Sequence, residues 1–271
     1  MKITMLGTGH ASVTECFNSC FLLDDDGKLF LVDGGGGSTL FGQLKKSGYR
    51  WQDIRQIFVT HKHLDHLTGI FWLIRWICQW GSRGVYEGEA FIYGHDEVIS
   101  ILRETSRMLL NEKEYAVIGR NLHLIEVQDG EERSINGRKA VFFDIRSTKA
   151  KQFGFCMDLG NGKKLTCCGD EPFEENSRKY AEGSTWLLHE AFCLYSEADI
   201  FSPYEKHHST VKEACETAEW LGVKNLLLYH TEDTNIRNRR KLYTAEGKKY
   251  FHGNLLVPDD LECIDLERIQ E

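Results

Sequence analysis

What the chain lacks narrows its class. It has no excess of positive charge: 33 Lys and Arg stand against 41 Asp and Glu, a net charge of −8. That argues against a broad basic face for non-specific nucleic-acid binding, although a local basic groove stays open. It has no apolar run long enough to cross a membrane. The run from Leu67 to Trp80 contains Arg75 and Gln79, and it is shorter than the roughly 18–20 apolar residues a span needs. It reads as a buried helix. No secretory leader is evident, since Met1-Lys2-Ile3-Thr4-Met5-Leu6 runs straight into a glycine turn. The nine cysteines (Cys16, Cys20, Cys78, Cys156, Cys167, Cys168, Cys193, Cys215 and Cys263) are odd in number and scattered. They show no zinc-knuckle spacing. Free, structural thiols in a reducing cytosol are expected, hence a cytoplasmic location and no membrane partner.

What is there centres on one stretch, Thr60-His61-Lys62-His63-Leu64-Asp65-His66. Gln56-Ile57-Phe58-Val59 before it reads as a short buried strand, and the helix from Leu67 follows it. The cluster therefore sits on a strand-to-helix loop. Imidazole nitrogens and carboxylate oxygens are ligands that borderline divalent metals prefer. In an extended loop His61 and His63 can share one ion, while Asp65 and His66 can reach a second. A polar loop rich in histidine by chance is the plain alternative, and the ordered hydrophobic flanks disfavour it.

His-x-His-x-Asp-His after a hydrophobic strand resembles the signature of the metallo-β-lactamase superfamily. The resemblance implies an α/β fold, a four-layer αββα sandwich, spanning residues 1–271 as one domain. The 271 residues, 41 % of them apolar, could form such a domain or two small ones.

The rest of the chain can be set against that pattern. Ile3–Leu6, Phe21–Leu23 and Leu29–Val32 read as strands, the last two joined by Asp24-Asp25-Asp26-Gly27, a hairpin turn. Four glycines, Gly34 to Gly37, allow close approach of the backbone to something. Asp33, at the end of its strand, can hydrogen-bond an imidazole and orient it, the part the resemblance gives it. A helix is predicted over 38–47, with Ser38 as N-cap and Gly48 past its end. Ala90–Tyr93, Leu122–Val127, Ala140–Ile145, Phe153–Met157, Lys164–Cys168, Trp186–Glu190 and Asn225–Tyr229 read as further strands, and Asp96–Leu110 as a helix. Thr210 and Glu213 have capping-box spacing, so a helix starts there and stops at Gly222. Asn235–Tyr250 is charged and is predicted to be an exposed helix or loop. Trp72, Trp76 and Trp80 would form one aromatic stripe, more often core than partner surface; a homodimer stays open.

The resemblance also implies further roles. Asp170, after a strand and a glycine, would bridge two ions, and His230 would be the last ligand. Leu187-Leu188-His189-Glu190-Ala191 and His208-Ser209-Thr210 resemble ribonuclease Z-like segments, in which Glu190 supports a histidine and His208 passes a proton to the leaving group. His207 competes with His208 for that role. The metal ligands are then His61, His63, Asp65, His66, Asp170 and His230, for one or two Zn2+ ions, with Mn2+ or iron as alternatives.

One departure stands out. The pattern has another histidine before a Gly-aromatic pair, here Gly154-Phe155, but Ile145-Arg146-Ser147-Thr148-Lys149-Ala150 has none. The nearest, His123, lies on a separate strand. Lys149 could replace it in position but not in chemistry, because an ammonium is repelled by a metal; it could instead pair with Asp170. The reaction expected is hydrolysis by a metal-bound hydroxide held by Asp65 or Asp170, with His208 as acid. The substrate would be an RNA 3′ end or a small phosphodiester. No glycine- and proline-rich RNA-holding arm is seen between Glu171 and Lys206. Two alternatives remain: a degenerate metal-binding or regulatory protein, and a thioester hydrolase or iron enzyme on the same fold.

Overall fold

The structure, a computed structural model, describes residues 1–267; the end of the expected domain, 268–271, lies outside them. Two seven-stranded sheets carry it. The first holds β1 (Lys2–Gly7), β2 (Cys20–Asp25), β3 (Lys28–Val32), β4 (Ile54–Phe58), β5 (Ala90–Gly94) and β6 (Leu122–Glu126). The second holds β7 (Glu131–Ile135), β8 (Arg138–Asp144), β9 (Phe153–Gly160), β10 (Lys163–Cys167), β11 (Trp186–Glu190), β12 (Asn225–Tyr229) and β13 (Asn254–Leu256). The chain returns to the first sheet with β14 (Cys263–Asp265), so the orders are β14-β1-β2-β3-β4-β5-β6 and β13-β12-β11-β10-β9-β8-β7.

The strand period of two sorts the apolar side chains into layers. Phe21, Phe30, Phe58, Phe155, Leu188, Leu227 and Tyr229 pack between the sheets. Leu22, Leu31 and Ile57, one register step away, face helices α1 (Thr39–Lys46), α2 (Leu64–Ser82) and α3 (Asp96–Leu109). Short helices α4 (Glu112–Tyr115), α5 (Arg178–Ala181) and α6 (Ala198–Phe201) fill connections. On the far side Leu187, Leu226 and Leu228 pack with α7 (Val211–Trp220) and α8 (Arg239–Gly247). This is the four-layer αββα sandwich that the histidine motif led us to expect.

Local chemistry explains the joints. Asp26 and Gly27 both take positive φ, 52° and 85°, as a two-residue hairpin turn requires. The Asp24 carboxylate accepts from Gly27 N at 2.7 Å. The glycine run approaches α2: Gly34 N donates to His66 O at 2.8 Å, and Gly69 N donates to Gly35 O at 2.9 Å. A Cβ on Gly69 would lie 1.9 Å from Gly34 O. Gly69→Ala is therefore expected to cost about 3 kcal/mol by overpacking. A thermal melt at or above the wild-type midpoint would refute this account of the glycines.

Several expectations need correction. Ser38 flanks α1, but its side chain makes no capping bond. The charged 235–250 segment holds the helix α8 and is largely exposed as expected, but it has a buried inner face: Arg239 is 1 % and Tyr243 0 % exposed. Arg239 donates to Thr8 Oγ1, Thr231 Oγ1 and Pro258 O. Those acceptors come from distant segments, so the composition of 235–250 does not reveal them. Strands β7, β13 and β14 are additional to the predicted ones; β7 buries only Ile135, and the others have three residues each. The tryptophan stripe is split. Trp76 stacks on Phe41 with centroids 4.0 Å apart, whereas Trp72 and Trp80 stay exposed. No helix among the described residues is long and apolar enough to cross a membrane.

Candidate metal centre

The site gathers at the C-terminal ends of strands from both sheets. Strands β3 and β4 run parallel in one sheet, and β10, β11 and β12 run parallel in the other. Asp33 follows β3, and His61 and His63 follow β4. Asp65 and His66 lie in the first turn of α2, at the helix start where the sequence places them. Asp170 follows β10, Glu190 ends β11 and His230 follows β12. Asp33 and His230 hold left-handed backbone, φ 59° and 58°. Non-glycine residues adopt that conformation rarely, and often at functional sites.

Two groups of potential ligands form, His61, His63 and Asp170, and Asp65, His66 and His230. Asp170 joins them: its Oδ2 lies 3.6 Å from His61 Nε2, 3.4 Å from His66 Nε2 and 3.4 Å from His230 Nε2. Asp65 Oδ2 is 3.3 Å from His66 Nε2. The imidazoles are held from behind. Asp33 Oδ2 meets His66 Nδ1 at 2.7 Å and accepts from Thr60 Oγ1 at 2.8 Å. Thr60 Oγ1 also meets His61 Nδ1 at 2.9 Å, and Ser19 Oγ meets His230 Nδ1 at 3.1 Å. Carboxylate and hydroxyl partners of this kind fix which ring nitrogen faces a cation. His66 Nε2, buried and aimed at two carboxylates, has no hydrogen-bond partner among the described residues.

The electrostatics suit the same occupant. Burial pushes His61 and His230 well below the usual imidazole range, against the pull of Asp170. Burial works against a charged Asp170, but His61, His66 and His230 hold its carboxyl well below the carboxylate range. Burial likewise opposes charge on His66; Asp65 and Asp33 outweigh it and raise that imidazole. Ionised carboxylates facing mostly neutral imidazoles are a donor set that fits one or two divalent cations.

Beside the centre lies a second constellation. His208 is buried, stacks on Phe192 at 4.9 Å and sits 5.2 Å from the His230 ring. Its Nδ1 is 3.6 Å from Glu190 Oε2, and Glu190 accepts from Ser209 N. The capping box at the start of α7 sets this turn, with Thr210 N and Oγ1 both donating to Glu213. His207 instead meets Thr148 Oγ1 at 2.7 Å. Lys149 does not pair with Asp170. Its Nζ lies 3.4 Å from His208 Nε2 and 3.9 Å from Glu171 Oε1. Gln152 takes the place beside Asp170, donating to Oδ1 at 2.6 Å. His123 is remote, stacked on Phe91 and bonded to Glu89. Sequence reasoning missed Gln152 and His10. The His10 ring packs 4.6 Å from Phe192 and 6.4 Å from His230, and burial, with His208 nearby, lowers it to about 4. Its position directly after Gly7-Thr8-Gly9, at a strand end, was the available signal.

Known proteins share this geometry's framework. The family model for anti-Pycsar protein Apyc1 matches residues 1–257. The chain belongs to the Apyc1 family. This Apyc1-family chain also has relatives of the ribonuclease Z kind. It is 26 % identical over 307 residues to the ribonuclease Z of Archaeoglobus fulgidus, covering 95 % of each. Among solved structures, the metallo-β-lactamase fold protein YhfI from Bacillus subtilis superposes with a TM-score of 0.75 at 19 % identity, covering 97 % of this chain and 99 % of that one. The short form of human tRNase Z gives 0.73 at 22 %, covering 98 % and 99 %. The Apyc1-family chain is a metal-dependent hydrolase of the metallo-β-lactamase fold.

Proposed function

We propose that residues 1–271 act as one domain that hydrolyses a small phosphodiester, a cyclic nucleotide being the case that fits best, in preference to an RNA 3′ end. The observation that carries this choice is the 171–206 stretch. It holds the short helices α5 and α6 on either side of β11, a strand of the second sheet, and it is not a long glycine- and proline-rich arm of the kind that would hold an RNA. The net charge of −8 also opposes a polyanionic partner.

His61, His63 and Asp170 would hold one cation, and Asp65, His66, His230 and Asp170 another. Zn2+ suits these nitrogen and oxygen donors, and Mn2+ or iron is the alternative. Cations held there polarise phosphoryl oxygens and lower the pKa of water. The protein's own groups do the rest. Asp33 and Thr60 keep His66 and His61 oriented. Asp65 and Asp170 can hold an attacking water by hydrogen bonding. His208, oriented by Glu190, protonates the departing oxygen.

The test is elemental analysis of the purified protein, with hydrolysis of bis(p-nitrophenyl) phosphate, a cyclic mononucleotide and a 3′-extended tRNA precursor. Bound metal with faster turnover of the small diesters is expected. Cleavage of the precursor alone would overturn the substrate choice. No turnover after metal is restored would favour a degenerate binding protein, the reading that the absent histidine near Thr148 supports.

A further inference from the structure

The 145–151 segment carries a cation, Lys149, where the resemblance leads one to expect a histidine, and the way that cation is held suggests a purpose. Ser147 Oγ donates to Glu171 Oε1 at 2.6 Å, and Thr148 N donates to Glu171 Oε2 at 3.1 Å. Lys149 N and Ala150 N then approach Ser147 Oγ at 3.3 Å and 3.2 Å. The loop is pinned by a buried carboxylate, and its next residue is aimed inward. The Lys149 side chain is only 20 % exposed. Its Nζ lies 3.9 Å from Glu171 Oε1 and 3.4 Å from His208 Nε2. Neither is an ideal partner. The first is beyond hydrogen-bond range, and the second is an imidazole that is wanted as an acid.

We propose that Lys149 is a substrate-anchoring residue, whose ammonium binds a nonbridging oxygen of the scissile phosphodiester beside His208. This rests on the phosphodiesterase reading above and names the group that holds the substrate. A phosphoryl oxygen is a stronger acceptor than a neutral imidazole. Drawing Nζ onto it frees His208 Nε2 to carry the proton meant for the leaving oxygen. A compact ammonium suits a single phosphate oxygen as a point charge. No bond is made or broken at Lys149.

The probe is inorganic phosphate titrated into the metal-loaded protein, read by calorimetry, with metal content measured in parallel. Lys149→Met is expected to weaken phosphate binding about tenfold or more, the scale of one charge-assisted hydrogen bond, with unchanged metal content. In small-diester hydrolysis it should raise KM more than it lowers kcat, and Lys149→Arg should recover most of the phosphate affinity. Ser147→Ala, which loosens the loop and keeps the charge, separates the roles. If it weakens phosphate binding as much as Lys149→Met does, Lys149 is only a loop tie and the proposal fails. Unchanged phosphate affinity in Lys149→Met also overturns it, whatever the turnover. Lys149-dependent phosphate binding in a protein that turns over no phosphodiester would sink the proposed function and leave the anchor standing.

Discussion

Asp170→Ala is expected to strip the protein of bound metal and to lower phosphodiester turnover at least ~10³-fold, because several kcal/mol of charge stabilisation depend on the centre. Asp170 is the carboxylate that faces both ligand groups, with Oδ2 within 3.6 Å of His61 and 3.4 Å of both His66 and His230. Removing it leaves His61 and His230 facing one another without that carboxylate, with Asp65 remaining beside His66. Each group then has one donor fewer, and the raised His66 loses one of the carboxylates that hold its proton. Asp170→Asn is the sharper variant, since it preserves volume while removing the charge. Gln152, which donates to Oδ1, can keep that contact if the amide oxygen takes the same position. Elemental analysis and a thermal melt read the two effects separately. A variant that keeps its full metal content and near-native turnover would show that Asp170 does not link the two groups.

How far the site could be read from the chain depends on how locally its residues are spaced. His61, His63, Asp65 and His66 are contiguous, and the flanking strand and helix are written in the same stretch. Their convergence was legible without any tertiary information. Asp33, Asp170 and His230 are each a lone polar residue after a strand, and only the resemblance singled them out. Their relation to one another is tertiary: β3 belongs to one sheet and β10 and β12 to the other. Lys149 was picked out by what it displaces, but its neighbours Glu171 and His208 come from segments that periodicity cannot bring together. Arg239 escaped for the opposite reason. A charged segment is normally a solvated face, yet this guanidinium is buried by acceptors from Thr8, Thr231 and Pro258. The layers were expected from the resemblance, and the structure sorts neighbouring residues of Trp186–Glu190 and Asn225–Tyr229 into opposite cores. The edge strands were not, since an edge needs few apolar side chains.

His208→Ala is expected to lower kcat by about 10²–10³-fold on a diester with a sugar-hydroxyl leaving group and by less than about tenfold on bis(p-nitrophenyl) phosphate, the usual scale for a lost general acid. The contrast follows from the leaving oxygen. A sugar alkoxide needs a proton as the bond to phosphorus breaks, whereas p-nitrophenolate departs as a stable anion. The His208 ring is well placed to supply that proton, being buried against Phe192 and 5.2 Å from His230, with Nδ1 facing Glu190. Glu190→Gln should move kcat in the same direction by a smaller factor, because it leaves the imidazole present but less firmly oriented. Metal content should be unchanged in both variants, which separates them from Asp170→Ala. KM should change little, which separates them from Lys149→Met. An equal loss on both leaving groups would mean that His208 shapes the pocket and does not donate a proton, and the mechanism would then need another acid.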